Sequence, residues 1–315
     1  MRRSYIAPVL TLGMFVAAVA SFAQAASEID QRLRYELQDK TLLLRGFYPG
    51  NELHYDSAGT LRKPTTSGNW TVDGVVRIED VSISASRLHI RASREHWGWV
   101  TASGFSALHD SDGKGHPDKD EKKNRDLQIE ADLGSDATVD GAKAAVPRIF
   151  LNSNDNFADL VPDYWKPCVN AALRNSSEIN LQSCRFSADF LEIPGVQPPS
   201  GVLSNSETKS PGAQSPAEPP LVRIGHGVSP PKVLNQHEPA FSESARKAKY
   251  QGTVVLGLVV DPSGNPAKVH VMKPLGCGLD DKAVQTVETW KFKPAEKDGQ
   301  PVAVEIAVEV DFHLY

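Results

Sequence analysis

Apolar and polar residues alternate with the two-residue period of half-buried strands in several short segments of the first two-thirds of the chain. Residues 40–45, 75–78, 81–84, 87–91 and 126–130 all carry this pattern. Turn signals lie between them: Pro49-Gly50-Asn51, Ser57-Ala58-Gly59 and Asp73-Gly74. Residues 27–193 are therefore expected to form a mainly antiparallel β domain. The spacing after Pro147 is less regular, with a short helix expected over residues 164–173.

The last block, residues 240–315, has clearer local logic. Pro239 suits the first turn of a helix whose face carries Phe241, Ala245 and Ala248, and Gly252 stops it. Val254, Leu256, Leu258 and Val260 then alternate as a strand. Asp261-Pro262-Ser263-Gly264 makes a turn, and Ala267, Val269 and Val271 return as a second, antiparallel strand. Leu279, Ala283, Val287 and Trp290 mark one face of a second helix, with Asp280 and Asp281 at its positive N-terminal end. A long final strand follows. Val302, Val304, Ile306, Val308, Val310, Phe312 and Leu314 face one way; Ala303, Glu305, Ala307, Glu309, Asp311 and His313 face the other. One face should be buried and the other wet. The fold class expected is α+β, with two helices on a three-stranded antiparallel sheet in this block.

Between the two blocks, residues 194–239 hold ten of the chain's 22 prolines, interspersed with Ser, Gly and Gln. Such a composition buries too little apolar surface to offset its ordering entropy, so a linker is expected. At the other end, Arg2 and Arg3 precede an apolar run over residues 9–22 and a small-x-small site, Ala23-Gln24-Ala25. This reads as an export signal, residues 1–25, cleaved after Ala25. Residues 6–26 also approach the roughly 20 apolar residues that span a bilayer, so an uncleaved anchor is the rival reading.

Composition narrows the function classes. The 315 residues suffice for two modest domains, and the net charge of -5 speaks against nucleic acid as a partner. Export permits disulfides, and Cys168 with Cys184 is the natural pair, leaving Cys277 free. No spacing suits a zinc site, and no phosphate-loop or nucleophile motif occurs, so neither cofactor, metal nor catalytic residue is expected and the chain is read as no enzyme. Residues 110–121 echo a calcium loop, but Lys114 takes a ligand position and a solvated hairpin tip is favoured. Trp97 and Trp99 share a strand face, as a core pair or as the floor of a glycan or lipid site.

Five short motifs occur in order over the C-terminal block. Tyr250-Gln251-Gly252-Thr253-Val254 leads into the first strand, and Val260-Asp261-Pro262-Ser263-Gly264 forms the turn. Gly278-Leu279-Asp280 with Ala283 opens the second helix. Trp290-Lys291-Phe292-Lys293-Pro294-Ala295 and Asp298-Gly299-Gln300-Pro301-Val302 precede the last strand. Together they resemble the C-terminal domain of the TonB energy-transducer family, over about residues 230–315.

The resemblance implies a periplasmic energy transducer or adaptor. Its last strand pairs with an extended segment of an outer-membrane TonB-dependent receptor, and this supports transport. The edge implied runs over residues 302–314, including Val302, Val304, Glu305, Ile306, Ala307, Val308, Glu309, Val310, Asp311 and Phe312. Inner-membrane proton-driven motor proteins and a homodimer through the C-terminal domain are further partners it leaves open. In the family an uncleaved anchor and a Pro-rich rod precede this domain. Here the signal reads as cleavable, and a folded β block precedes the Pro-rich stretch. The alternative reading is a periplasmic glycan- or lipid-binding protein with a TonB-like docking domain.

Overall fold

The computed structural model describes residues 31–100, 104–108, 125–173, 184–196, 221–225 and 227–314. The export signal, the calcium-like loop and residues 197–220 of the expected linker lie outside the described residues. No helix among the described residues is long and apolar enough to cross a membrane.

The N-terminal block is built on a five-stranded sheet, in the order β1 (Thr41–Leu43), β3 (Val75–Ser84), β4 (Arg87–Arg94), β7 (Asp126–Asp132), β2 (Glu52–Tyr55). All neighbours are antiparallel except β2 and β7, which run parallel. The two alternating segments at 75–78 and 81–84 are one strand. A register shift between Ile78 and Asp80 inserts an extra residue, which lets Ile78 and Val81 both face the core despite their odd spacing. The buried face, with Leu88, Ile90, Leu127 and Ile129, is covered by helix α1 (Val139–Ile149) through Ala142, Ala145 and Ile149. Thr138 caps that helix by accepting from the Gly141 N–H at 3.1 Å.

A second part of this block is aromatic. The hairpin β5 (Trp97–Val100) and β6 (Gly104–Ala107) joins helix α2 (Lys166–Leu173) and the short α3 (Ala188–Leu191) around Trp70. The Trp70 ring lies 5.0 Å from Trp165, 5.1 Å from Phe157 and 5.3 Å from Phe105, in tilted and edge-on contacts. The expected disulfide, Cys168–Cys184, ties α2 to the strand-like segment before α3, with Cα atoms 5.2 Å apart. The block is thus less purely β than its periodicity suggests. It also runs on through Gly195 and Val196, since the Phe157 N–H donates to the Gly195 carbonyl and Val196 is fully buried.

The C-terminal part holds a three-stranded antiparallel sheet in the order β11 (Pro266–Lys273), β10 (Gly252–Val260), β15 (Val304–Phe312). Its first helix is shorter than expected. Ser242 accepts from the Ala245 N–H and starts α4 (Glu243–Lys247), so Pro239 precedes the helix instead of opening it. The second helix, α5 (Leu279–Val287), buries Leu279, Ala283 and Val287 against β10 residues Val254, Leu256 and Leu258. Trp290 follows the helix end and is buried.

The long final strand is broken. Val302 belongs to a separate strand, β14 (Gln300–Val302), which pairs with β13 (Ala295–Lys297), and the pairing with β10 begins only at Val304. The expected linker also differs along its length. β8 (Val228–Ser229) pairs with β13, and β9 (Lys232–Asn235) pairs with β12 (Lys291–Lys293). Residues 228–235 are therefore strands of the C-terminal part.

One hydrophobic cluster runs through both parts. It includes Trp70, Trp97, Phe105, Trp165 and Phe190 together with Val254, Leu256, Leu279 and Val287. The backbone of β5 pairs with the loop before α5. The Trp99 N–H donates to the Leu275 carbonyl at 2.8 Å, and the Cys277 N–H to the Trp97 carbonyl at 2.7 Å.

Candidate functional site

The motif residues build the frame that holds the last strand. Asp261 closes the β10–β11 turn, its side chain accepting from the Ser263 and Asn265 N–H groups at 2.8 Å each. Gly264 adopts φ +80°, and a Cβ there would run into the Phe292 carbonyl. The Phe292 N–H in turn donates to the Gly264 carbonyl. Trp290 donates its indole N–H to the His237 carbonyl. Gln251 accepts from the Leu314 N–H at 3.1 Å and so fastens the far end of the final strand. Gly252 lies next to Leu275, and Gly278 caps α5 in a left-handed conformation, φ +75°. Pro294 and Ala295 carry the chain from β12 into β13. Each of these residues fixes a turn, a strand end or the helix start, and none lies on the outer edge of β15.

Asp280 is the most buried carboxylate of the frame, 1% exposed. It accepts from the Leu275 and Gly276 N–H groups at 2.8 and 2.6 Å. Burial pushes its carboxyl up to about 7, while those two donors pull the other way. Asp281 faces the N-terminal block, where Asn69 and the Tyr164 hydroxyl hydrogen-bond to it. Burial raises its pKa as well. The Gly278 N–H donates to the Thr71 hydroxyl at 3.0 Å, and the Tyr250 hydroxyl lies 3.0 Å from the Trp99 carbonyl and 2.9 Å from that of Leu275. This inter-block contact had no signal in the periodicity. Its marker in the sequence is Gly98, which bridges to Gly276 where a Cβ on Gly276 would strike the Trp97 carbonyl.

The edge itself follows from strand geometry. β15 pairs with β10 on one side over Val304 to Phe312. On the other side the Val222 N–H donates to the Ala303 carbonyl at 2.9 Å, within a parallel bridge of Val222 to Val304. Alternate residues of a strand direct their backbone groups to the same side. The backbone polar groups of Glu305, Ala307, Glu309 and Asp311 therefore point away from β10. Beyond Val222, no other strand among the described residues pairs with that side. The side chains of these four residues are exposed. On the opposite face Val304, Val310 and Phe312 are buried, while Ile306 and Val308 are only half-buried, short of the fully buried row expected.

Other candidate features belong to the architecture. Trp97 is 2% exposed and packs its ring 4.7 Å from that of Phe190, so it is core and floors no glycan site. Cys277 lies outside the disulfide and is fully buried. A cavity of about 130 Å³ opens between the blocks beside Asp73, Arg94, His96 and α4. Arg94 points its guanidinium at the carbonyls of Tyr48 and Gly50, at 2.8 and 2.6 Å, and of Asp73. Burial and the nearby Arg125 and Arg94 push His96 down to about 3, so it is neutral.

A small α+β domain with a framed, largely unpaired last strand is the class these features define. The family model for the Gram-negative bacterial TonB protein C-terminal matches residues 237–314. The chain is 35% identical over 86 residues to Protein TonB of Vibrio cholerae, covering 27% of this chain and 35% of that protein. It is 33% identical over 82 residues to Protein tonB2 of Pseudomonas aeruginosa, covering 26% and 30%. Residues 237–314 form a TonB C-terminal domain. The solution NMR structure of the Pseudomonas aeruginosa TonB C-terminal domain aligns with 19% identity over 30% of this chain and 94% of that one, with a TM-score of 0.25. The chain spans about a third of the length of the curated relatives it matches.

Proposed function

We propose that this chain is an envelope protein of Gram-negative-type bacteria, acting as a TonB-like energy transducer or adaptor that serves transport across the outer membrane. Its C-terminal domain receives an extended segment of an outer-membrane receptor along β15. The observation that carries this reading is the row of outward backbone groups at Ala307, Glu309 and Asp311, beyond the Val222 bridge, held open on a frame made of the motif residues. An added strand satisfies those groups without rearranging the core, and the side chains on either face supply selectivity. No bond of a substrate changes in this role, so the protein works without a catalytic residue or cofactor.

Proton-driven motor coupling requires residues 1–25 to stay as an anchor; their removal makes the chain a soluble periplasmic adaptor. A homodimer is the competing occupant of the edge. Glu305, Glu309 and Asp311 oppose it, because self-pairing would bring like charges close across strands.

Two proline substitutions test the reading. Glu309→Pro removes an outward donor and should leave the circular dichroism spectrum close to wild type, because proline is tolerated where the N–H faces solvent. It should abolish retention of a receptor from solubilised outer membranes. Val308→Pro removes a donor turned toward β10, breaks the ladder between the two strands and should unfold the domain. A folded Glu309→Pro protein that still retains the same receptor contradicts strand addition at this edge.

A further inference from the structure

The cleft between the two blocks is lined from both sides by charged groups. Asp73, Arg94, His96 and Arg125 belong to the N-terminal block, and Glu243, Ser244 and Lys247 to helix α4 of the C-terminal part. Arg94 is 4% exposed. Its hydrogen-bond partners are the backbone carbonyls of Tyr48, Gly50 and Asp73, while the Asp73 carboxylate stands off at 3.9 Å. A buried charge without a close counter-charge is costly. Burial accordingly lowers the Arg94 pKa, against the pull of Asp73 and Tyr55.

Three cations, Arg94, Arg125 and Lys247, face two carboxylates, Asp73 and Glu243. Both carboxylates already have other partners. Asp73 accepts from the Asn69 N–H at 3.0 Å. Glu243 is gripped by the Arg246 guanidinium at 2.6 and 2.7 Å. His96 registers the same excess, because Arg125 and Arg94 add to burial in keeping its ring neutral. The carbonyls that hold Arg94 also fix its guanidinium in place, so the positive charge at the floor of the cleft is fixed before anything enters.

The cleft is small, about 130 Å³. Sites for drug-sized ligands run to roughly 300–1,000 Å³, and a water occupies about 30 Å³. A sugar chain or an acyl chain does not fit, but a single oxyanion does. A tetrahedral phosphate offers acceptors in several directions and can face donors on both walls, whereas a planar carboxylate accepts along one edge. We infer that this cleft binds a phosphate group, with Arg94 and Arg125 on one wall and Ser244 and Lys247 on the other. Arginine suits such a group because its fork of N–H donors matches phosphate oxygens. The walls come from both parts of the chain, so the ligand binds their docked arrangement and stabilises it. No residue of β15 lines the cleft, and phosphate binding is therefore separable from strand addition.

Calorimetric titration of the full chain with inorganic phosphate, against sodium chloride and acetate at equal ionic strength, tests the inference. Phosphate should bind once per chain, raise the melting temperature, and bind at least tenfold more tightly than acetate. Backbone amide signals of Asn51 and Ser244, one from each wall, should shift together as phosphate is added. Arg125→Gln and Lys247→Gln should each weaken phosphate about tenfold with the circular dichroism spectrum unchanged. Lys297→Gln, at an exposed position away from the cleft, should bind as wild type does. Glycerol phosphate separates the two sources of the group: binding as tight as phosphate supports an ester, and weaker binding supports the free ion. Phosphate that binds no better than chloride or acetate overturns the inference. So does phosphate binding that Arg125→Gln and Lys247→Gln leave intact.

Discussion

Asp280 illustrates how a motif residue acts at the scale of single groups. Its two carboxylate oxygens satisfy the N–H groups of Leu275 and Gly276, which are buried with it. Replacing it with alanine leaves both donors without a partner inside the protein, a loss of about 2–4 kcal/mol. The titration adds a signature. Burial raises the folded pKa to about 7, above the unfolded carboxylate value of about 4. The contribution of this group is therefore complete below the unfolded value and is lost as the pH rises through about 7. Denaturant midpoints of the wild-type protein should fall across that window, and the gap to Asp280→Ala should narrow as the pH rises. A wild-type midpoint that climbs through the window, with an unchanged gap, contradicts this picture. In the sequence, Asp280 was legible as a family residue and a helix N-terminal charge. Its burial under Leu275 and Gly276 was not, because the loop carrying those donors has no periodicity of its own.

At the scale of elements, alternation proved a sound guide where a strand has one buried face. Val254, Leu256, Leu258 and Val260 are all fully buried, as their spacing predicts, and α5 buries Leu279, Ala283 and Val287. The pattern misleads where two strands share one phase. Val302 and Val304 alternate as if in one strand, yet Val302 pairs with Ala295 and Val304 with Val260. Residues 228–235 were hidden by composition. The prolines at 230 and 231 read as linker, but each flanks a short strand that pairs with a strand of the C-terminal part. The candidate edge was legible from Val304 to Phe312 because exposed acids alternate there with aliphatic side chains. Which backbone groups point outward needed the Val222 contact, which no sequence pattern announces.

At the scale of the whole molecule, two parts joined by a Pro-rich segment share one core. Independent domains would each close their own apolar surface. Here Trp97 and Trp99 lend their backbone to the loop before α5, and Asn69, Thr71 and Tyr164 reach Asp281 and Gly278. The composition of residues 197–220 predicts that a protease cuts there first. The two pieces should then co-elute in native size-exclusion chromatography and part only in denaturant; pieces that separate at once would contradict a shared core. The arrangement also leaves the TonB C-terminal domain one long strand side available, since α2 and the turn before it pack on β11 at the opposite side of the sheet. What meets that side in the envelope decides the function of the domain. A photo-crosslinking amino acid placed at Glu309, on the edge, and in a second strain at Glu288, exposed at the end of α5, reads this in living cells. Position 309 should capture an extended segment of an outer-membrane receptor, and position 288 should not. Capture of the receptor from Glu288 with none from Glu309 would contradict strand addition at this edge.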